Sequence, residues 1–394
     1  PAAPDGDAGE GESIYLDVYA GAQRTINNVG ELRGVALLAD GQIGMDGEGT
    51  STYAADDDIE DVFVMAGLAD SGGSGENILA AFRAGEDPDG VLVSGDLDVS
   101  GQAYNVFRAD DNVGVDGTSG SLFTADDDIV NTIITAGTDA GYGVHPGSAP
   151  TPQPFASNVD LGGSVYTSIQ AGLGSSSADI DMVYVLADSN VGATDGSDDF
   201  VATGDIIETT VVAGISDALA GDVLVDILAG VTNAEVGLVI DQTSGAVTSG
   251  SFDGSGAISD LAVRADGAVG SADGLRDIAA NDSITGVVLV AEGATLPAIG
   301  MPYMTTDLGD NAPGETDQYI EVDVNAGAPQ GGTTQGPTGK DLEILAAVAD
   351  AWIGEPGPNG EGYNVWRADH DVYVGDIDAG LNDIDTNTTE NVLV

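Results

Sequence analysis

The chain has 394 residues, with 67 acidic and 8 basic side chains and a formal net charge of −59. Nucleic acids and anionic membranes are bound through basic surfaces, so both are excluded as partners, and no membrane insertion is expected. Hydrophobic residues make up 42% of the chain, which predicts a folded core rather than a disordered acidic segment. The excess negative charge predicts bound cations or screening salt.

Residue types and patterns that the sequence lacks exclude further kinds of site and further classes of protein. Cysteine is absent, which excludes disulfides, thiolate nucleophiles and cysteine-ligated zinc. No stretch of 18 apolar residues occurs, so no transmembrane helix is expected. Residues 1–13 are acidic and lack the features of a signal peptide. We interpret them as a flexible lead or inter-subunit segment of a mature, secreted chain.

An internal repeat begins at Ile14. Its first copy ends in Ala66-Gly67 and contains, in order, Ala39-Asp40, Ile43-Gly44, Asp46-Gly47 and Asp56-Asp57-Asp58. Seventy residues after Asp40, the same pattern starts again at Asp110. The chain therefore divides into five predicted units. They are residues 14–67, residues 68–137, residues 138–214 with an inserted loop, residues 215–293 with an insertion, and residues 294–394, a divergent unit with a long insertion.

Each unit is predicted to hold three strands: one ending in Ala-Gly, one running into Ala-Asp, and one after the aspartate cluster. From Ile320 to Gly327, apolar residues alternate with polar ones, which is typical of a half-buried strand. Strands recur every roughly 18 to 27 residues, close to one rung of a solenoid. The predicted fold is an all-β repeat protein, with a parallel β-solenoid favoured over tandem β-sandwich or propeller-like modules.

One segment is ambiguous between helix and strand. Residues 341–352 place Leu342, Leu345 and Trp352 on one face of a helix. The run Glu343–Val348 also resembles residues 77–82, which the repeat assigns to a strand. Both interpretations stay open at this point.

The repeat motif is similar to one found in a known group of proteins. Val113-Gly114, then Asp116-Gly117 and the aspartates before the next β-rich run, resemble the repeats of large secreted bacterial surface proteins of the planctomycete type. The resemblance covers residues 14–394. It implies an extracellular or surface-associated structural protein, and it implies location more than chemistry.

The acidic loops are candidate calcium sites. Calcium takes six to eight oxygen ligands, often from a tight loop with glycine at the turn, and adjacent carboxylates repel one another unless a cation lies among them. The alternative is that these aspartates only form solvated turns. The predicted ligands are Asp40, Asp46, Asp56, Asp57, Asp58, Asp110, Asp116, Asp126, Asp127, Asp128, Asp188, Asp195, Asp198, Asp199, Asp205, Asp266, Asp273 and Asp282.

No catalytic constellation is evident in the sequence, and no cofactor other than Ca²⁺ is predicted. His145 and His370 are isolated along the chain, and Arg108, Arg264 and Arg367 share one place in the repeat, which favours a structural role. We therefore do not expect an enzyme. A polysaccharide-active β-helix enzyme is the least favoured function.

The function that these features favour is an extracellular, calcium-stabilised structural protein. It is expected to build a surface layer, fibre or sheath by head-to-tail contacts with copies of itself. The alternative is an adhesin whose exposed acidic loops and tyrosines hold a surface polysaccharide.

Overall fold

The computed structural model describes a chain that runs through a series of short parallel strands. The described residues are 13–21, 30–39, 41–44, 51–67, 77–86, 94–100, 104–114, 121–137, 163–173, 177–193, 198–214, 221–231, 239–241, 246–249, 256–270, 276–291, 319–327, 339–349, 352–353, 364, 366–368 and 370–379. This part of the chain contains no helix with the length and apolar character needed to cross a membrane.

The strands of the described residues, in chain order, are β1 (Val18–Ala20), β2 (Leu32–Arg33), β3 (Ala36–Ala39), β4 (Ile43–Gly44), β5 (Ser51–Ala55), β6 (Ile59–Glu60), β7 (Phe63–Ala66), β8 (Ile78–Ala84), β9 (Leu97–Asp98), β10 (Asn105–Ala109), β11 (Ser121–Ala125), β12 (Ile129–Ala136), β13 (Thr167–Ala171), β14 (Ile180–Ala187), β15 (Asp199–Ala202), β16 (Ile206–Ile207), β17 (Thr210–Ala213), β18 (Asp226–Ala229), β19 (Val239–Asp241), β20 (Ala246–Ser249), β21 (Ile258–Ser259), β22 (Ala262–Ala265), β23 (Val269–Gly270), β24 (Arg276–Ala280), β25 (Ile284–Ala291), β26 (Tyr319–Ala326), β27 (Leu342–Ala349), β28 (Trp352–Ile353), β29 (Trp366–Arg367) and β30 (Val372–Ala379).

The strands form two large parallel sheets. Sheet one, with 13 strands, has the main order β1-β5-β8-β11-β13-β15-β18-β24-β26, and β29 pairs with β26. Sheet two, with 15 strands, contains β3-β7-β10-β12-β14-β17-β22-β25-β27-β30 in the order of pairing. Only the β19–β20 hairpin is antiparallel among the described strands. The all-β prediction is confirmed, and the sheets are parallel.

The chain alternates between the two sheets. Along the chain, each strand in the sheet-one order given above is followed by one strand of the sheet-two order. The first such pair is β1 and β3, and the last is β29 and β30. We call each such pair of strands a coil, and the described residues contain ten. Sheet two also contains a closed ring of parallel pairings, because the long strands β14 and β25 each pair with two short strands lying end to end. The ring runs in the order β14-β16-β21-β25-β22-β17 and returns to β14.

The apolar core lies between the sheets. Phe107 of sheet two contacts both Phe82 and Phe123 of sheet one, with ring centroids 4.6 Å apart in each case. Tyr53 stacks on Phe82 at 4.9 Å and extends this aromatic row by one coil. Buried apolar residues continue the same cluster from Ala39 to Trp366. Neighbouring coils therefore bury one another's inward side chains.

Alternating corner residues explain why the sequence repeat spans two coils. Where a strand ends in Ala-Gly, the next coil often ends in Ala-Asp, and the aspartate packs over the glycine. A Cβ atom on Gly67 would lie 2.6 Å from the Cβ of Asp110, and one on Gly137 would lie 2.7 Å from the Cβ of Asp188. Both glycines also have positive φ angles, which favour glycine. Within each sheet, a strand that ends in Ala-Gly is therefore followed in the next coil by one that ends in Ala-Asp, and the 70-residue period spans these two coils.

The structure differs from the sequence prediction in its strand count. Four main strands, rather than three, lie in the predicted unit of residues 14–67, and they are β1, β3, β5 and β7. The strand that sequence analysis missed, β5, lies inside the segment predicted as a calcium loop, and β11 lies inside the corresponding segment of the next unit. The ambiguous segment 341–352 contains strands, because Leu342–Ala349 pairs with both β25 and β30.

Candidate cation site

The predicted aspartate triplets do not converge on one point. Asp126 directly follows β11 and is 5% exposed, and Asp56 directly follows β5 and is 4% exposed. Asp127 lies in the turn, where its Oδ2 atom accepts a hydrogen bond of 2.5 Å from the Ser94 hydroxyl. Asp128 contacts the next coil instead. Three adjacent aspartates therefore have three different environments.

The third aspartate of each triplet belongs to a row that runs from coil to coil. The Asp96 N–H donates to Asp58 Oδ1 at 3.0 Å, and the Asp128 N–H donates to Asp96 Oδ1 at 2.8 Å. Asp179 and Asp205 continue the row with N–H···Oδ1 distances of 2.8 and 2.7 Å. We call Asp58, Asp96, Asp128, Asp179 and Asp205 the Asp ladder. Their carboxylates repeat at the strand spacing of about 4.8 Å.

The Asp ladder carries an electrostatic cost. Burial raises the pKa of Asp96 to about 6; the hydrogen bond from the Asp128 backbone lowers it in part, and the carboxylates of Asp128 and Asp58 raise it further. Burial also raises the pKa of Asp179, again with contributions from ladder neighbours. The flanking carboxyls of Asp98 and Asp181 have raised pKa values, first through burial and also through the Asp128 charge. Negative charge at Asp96 and Asp179 is therefore disfavoured by their surroundings.

A second corner of the coils makes the same hydrogen bond largely with neutral side chains. The Asn112 N–H donates to Asn77 Oδ1 at 2.8 Å, and the Ser164 N–H donates to Asn112 Oδ1 at 2.9 Å. The Asp222 N–H donates to Asn190 Oδ1 at 2.9 Å. Asparagine thus satisfies this backbone donor without charge, so the hydrogen bond alone does not require the carboxylates of the Asp ladder.

Another column of aspartates crosses sheet one. Asp199 pairs with Asp226, the Asp277 N–H donates to Asp226 Oδ1 at 2.9 Å, and Asp277 pairs with Asp323. Asp277 and Asp323 are only 8% and 6% exposed. Two buried carboxylates on adjacent strands repel each other unless a proton or a cation lies near them. This column contains one predicted ligand, Asp199, and three aspartates that were not predicted.

The remaining predicted ligands lie elsewhere. Asp110, Asp188 and Asp266 directly follow β10, β14 and β22, where their Cβ atoms pack over glycines of the preceding coil. Asp198 Oδ2 accepts the Ala193 N–H at 2.9 Å. Asp282 Oδ2 lies 2.6 Å from Lys340 Nζ. Burial alone would raise the pKa of Asp282, but the hydrogen bonds from Lys340 and from the Ser283 backbone outweigh the effect of burial and lower the pKa. The predicted ligands outside the described residues are Asp40, Asp46, Asp116, Asp195 and Asp273.

Three exposed ligand atoms lie close together beside β30. Among the described residues, Asp341, His370 and Asp371 form the group whose potential metal-ligand atoms lie within 4.8 Å of one another. His370 Nδ1 is 2.7 Å from Asp341 Oδ1, and this contact, followed by the hydrogen bond from the Asp371 backbone, lowers the pKa of Asp341. All three side chains are more than half exposed, so the group is an open surface feature.

The chemistry of the Asp ladder suits a hard divalent cation. Each ladder carboxylate named as an acceptor uses Oδ1 for a backbone donor, which leaves Oδ2 as an oxygen ligand. Two such oxygens about 4.8 Å apart can share one ion at Ca–O distances of about 2.3–2.6 Å. Sequence analysis included Asp58, Asp128 and Asp205 but missed Asp96 and Asp179. The missed signal was an aspartate directly before an isoleucine or leucine, which all five ladder residues share.

Comparisons with known proteins do not place this chain in a family. No protein-family model, curated protein or solved structure gives a significant match to this chain.

Proposed function

We propose that the chain is an extracellular structural protein: a calcium-stabilised parallel β-solenoid that associates with copies of itself into a surface layer, fibre or sheath. The resemblance of its repeats to secreted surface proteins of the planctomycete type agrees with this location. The observation that carries the proposal is the coil-by-coil stacking of carboxylates in the Asp ladder.

The strand order supports a solenoid. Strict alternation between two parallel sheets makes each coil pack only against its two neighbours. An uninterrupted apolar cluster and in-register pairing then make a stack whose length grows with the number of coils. A rigid rod of this kind suits a load-bearing or space-filling role.

The calcium part of the proposal follows from charge placement. In the Asn77–Asn112 contact, a neutral side-chain oxygen accepts the backbone N–H. In the Asp96–Asp128 contact, a carboxylate accepts the equivalent N–H, and the raised pKa of Asp96 shows that its negative charge is unfavourable there. A bound cation removes that cost. Two carboxylate oxygens and completing water make a weak site, and affinities of about 10⁻⁴–10⁻³ M are typical of extracellular calcium modules.

Thermal unfolding tests this function. We expect a chelator to lower the Tm and millimolar calcium to restore it, since an ion at ten times its Kd adds about 1.4 kcal/mol for each site. Magnesium should restore less, because it demands near-ideal octahedral geometry and gives up its water reluctantly. Sodium chloride at matched ionic strength is the control for screening. Equal melting curves in chelator and calcium would remove calcium from the proposal.

A further inference from the structure

We propose that calcium binds along the Asp ladder in coils 2–6, and that at the same corner of coils 8–10 the side chains of Lys340 and His370 take the place of the ion. The coils are numbered in chain order from β1 and β3, so coil 2 contains β5 and β7, coil 6 contains β15 and β17, and coil 10 contains β29 and β30. This proposal rests on the calcium binding proposed above, and it divides the solenoid into a part that needs the ion and a part that does not.

The strand register extends the row of the Asp ladder as far as coil 10. Each ladder aspartate directly precedes an apolar residue, and these apolar residues pair from coil to coil as far as Ile206. Beyond Ile206, the paired residues are Ile258, Ile284, Leu342 and Val372. The places that continue the row are therefore Ala257, Ser283, Asp341 and Asp371.

The backbone hydrogen bonds follow the same row, but its charge is interrupted. The Ala257 N–H donates to Asp205 Oδ1 at 2.7 Å, and the Asp341 N–H donates to Ser283 Oγ at 3.1 Å. The Asp371 N–H then donates to Asp341 Oδ1 at 3.1 Å. Two neutral places, in coils 7 and 8, thus separate the five carboxylates of the Asp ladder from the two carboxylates of coils 9 and 10.

The place one residue before this row changes its charge between the two parts of the solenoid. Asp57 and Asp127 occupy this place in coils 2 and 4, whereas Lys340 and His370 occupy it in coils 9 and 10. The chain has one lysine and two histidines, so residue types that are scarce in the sequence stand at this corner.

Lys340 and His370 each contact a carboxylate of the preceding coil. Lys340 Nζ lies 2.6 Å from Asp282 Oδ2, and His370 Nδ1 lies 2.7 Å from Asp341 Oδ1. Burial would raise the pKa of Asp282, but the Lys340 contact helps to lower it, and the His370 contact lowers the pKa of Asp341. Negative charge at this corner of coils 8 and 9 is therefore stabilised by the chain itself.

The carboxylates of coils 2–6 have the opposite environment. Among the described residues, no lysine, arginine or histidine forms an ion pair with an aspartate of the Asp ladder. Burial raises the pKa values of Asp57 and Asp96, and neighbouring carboxylates contribute to both shifts. A basic side chain and a bound calcium ion relieve the same repulsion, so calcium should stabilise the coils in which carboxylates face only one another.

Hydrogen exchange measured peptide by peptide with mass spectrometry tests this division. The protein is compared in chelator and in millimolar calcium at pH 7.5 and matched ionic strength. We expect calcium to slow exchange about tenfold in β12 and β14, which is the factor for an ion at ten times its Kd. In β27 and β30 the change should be less than about twofold, because each coil of a solenoid interacts only with its neighbours.

Two variants exchange the properties of the two parts. Lys340→Gln removes the positive charge, so β25 and β27 should exchange about threefold faster in chelator, and calcium should now slow them. Lys340→Arg keeps the charge and is the matched control. In Asp127→Lys, the introduced ammonium would stand to Asp96 as His370 stands to Asp341, and the Asp127 charge already acts on Asp96. This variant should reduce the effect of calcium on β10 and β12.

The outcomes separate the division from the calcium binding on which it rests. If calcium slows exchange in β27 and β30 as much as in β12 and β14, the division is wrong and calcium stabilisation stands. The same holds if Lys340→Gln leaves β25 and β27 unchanged in chelator or Asp127→Lys leaves the calcium effect unchanged. If calcium alters neither exchange in any coil nor the Tm, calcium binding fails and the division fails with it. A melting curve for each variant confirms folding.

Discussion

Replacing Asp96 by asparagine tests whether charge in the Asp ladder opposes folding when no cation is bound. The change keeps the side-chain oxygen that accepts the Asp128 N–H at 2.8 Å. It removes the negative charge between Asp58 and Asp128, whose carboxylates both contribute to the raised Asp96 pKa. In chelator at neutral pH, we expect the variant to be more stable than the parent.

The magnitude follows from the pKa of Asp96. Its rise from 3.8 to about 6 corresponds to roughly 3 kcal/mol at 1.36 kcal/mol for each unit. Partial exposure screens this value, and we expect about 1–1.5 kcal/mol. Because the folded pKa lies above the unfolded one, the parent has its full stability from this group below pH 3.8 and loses it as pH rises through about 6. The two proteins should therefore converge in acid and separate above pH 7.

The assay is urea unfolding of parent and variant at pH 4 and pH 7.5, each in chelator and in millimolar calcium. Calcium should stabilise the parent more than the variant, so the advantage of the variant should shrink or reverse. Asp260→Asn, at an exposed aspartate after β21, is the control and should change the free energy of unfolding by less than about 0.5 kcal/mol. A variant that is less stable than the parent in chelator at pH 7.5 would refute the reasoning.

Three further substitutions probe the core and the corners. The hydroxyl of Tyr53 is buried, has no hydrogen-bond partner in the described part of the chain, and has its pKa raised to about 12 by burial and by Asp17. Tyr53→Phe should therefore raise the free energy of unfolding, measured in urea, by about 1–2 kcal/mol. A lower free energy of unfolding in the variant would show that the hydroxyl has a hydrogen-bond partner. Gly137→Ala should cost about 2–4 kcal/mol, because its Cβ would lie 2.5 Å from the Gly163 nitrogen at a φ of +76°. Gly34→Ala, where φ is +68° and no atom lies within 4 Å, should cost about 1 kcal/mol; equal losses would contradict the packing argument.

Much of the all-β fold could be predicted because its signals are local. The Ala-Gly and Ala-Asp endings mark strand ends, and sequence analysis placed a strand from Ile320 to Gly327 where the structure has β26. The strand β5 was missed because its short run, Ser51–Ala55, follows a glycine- and aspartate-rich stretch. Its burial depends on β1 and β8, whose paired residues lie about 30 positions away.

The Asp ladder was only partly predictable for a similar reason. Clusters such as Asp126–Asp128 stand out in sequence, but the structure separates their members and joins Asp128 to Asp96 and Asp179 instead. Those contacts span 32 and 51 residues. Coils of unequal length hide such a row, because the interval between successive ladder residues is not constant. The Asp-Ile and Asp-Leu pairs are the local trace that remains.

Electron microscopy of the purified protein with millimolar calcium tests the central claim most directly. The account predicts thin, unbranched filaments with an axial repeat of about 4.8 Å, because stacked coils continue from copy to copy along one axis. Removing calcium at low salt should shorten or disperse them. Single particles of one-chain length in calcium at high protein concentration, or assemblies without the axial repeat, would contradict the account.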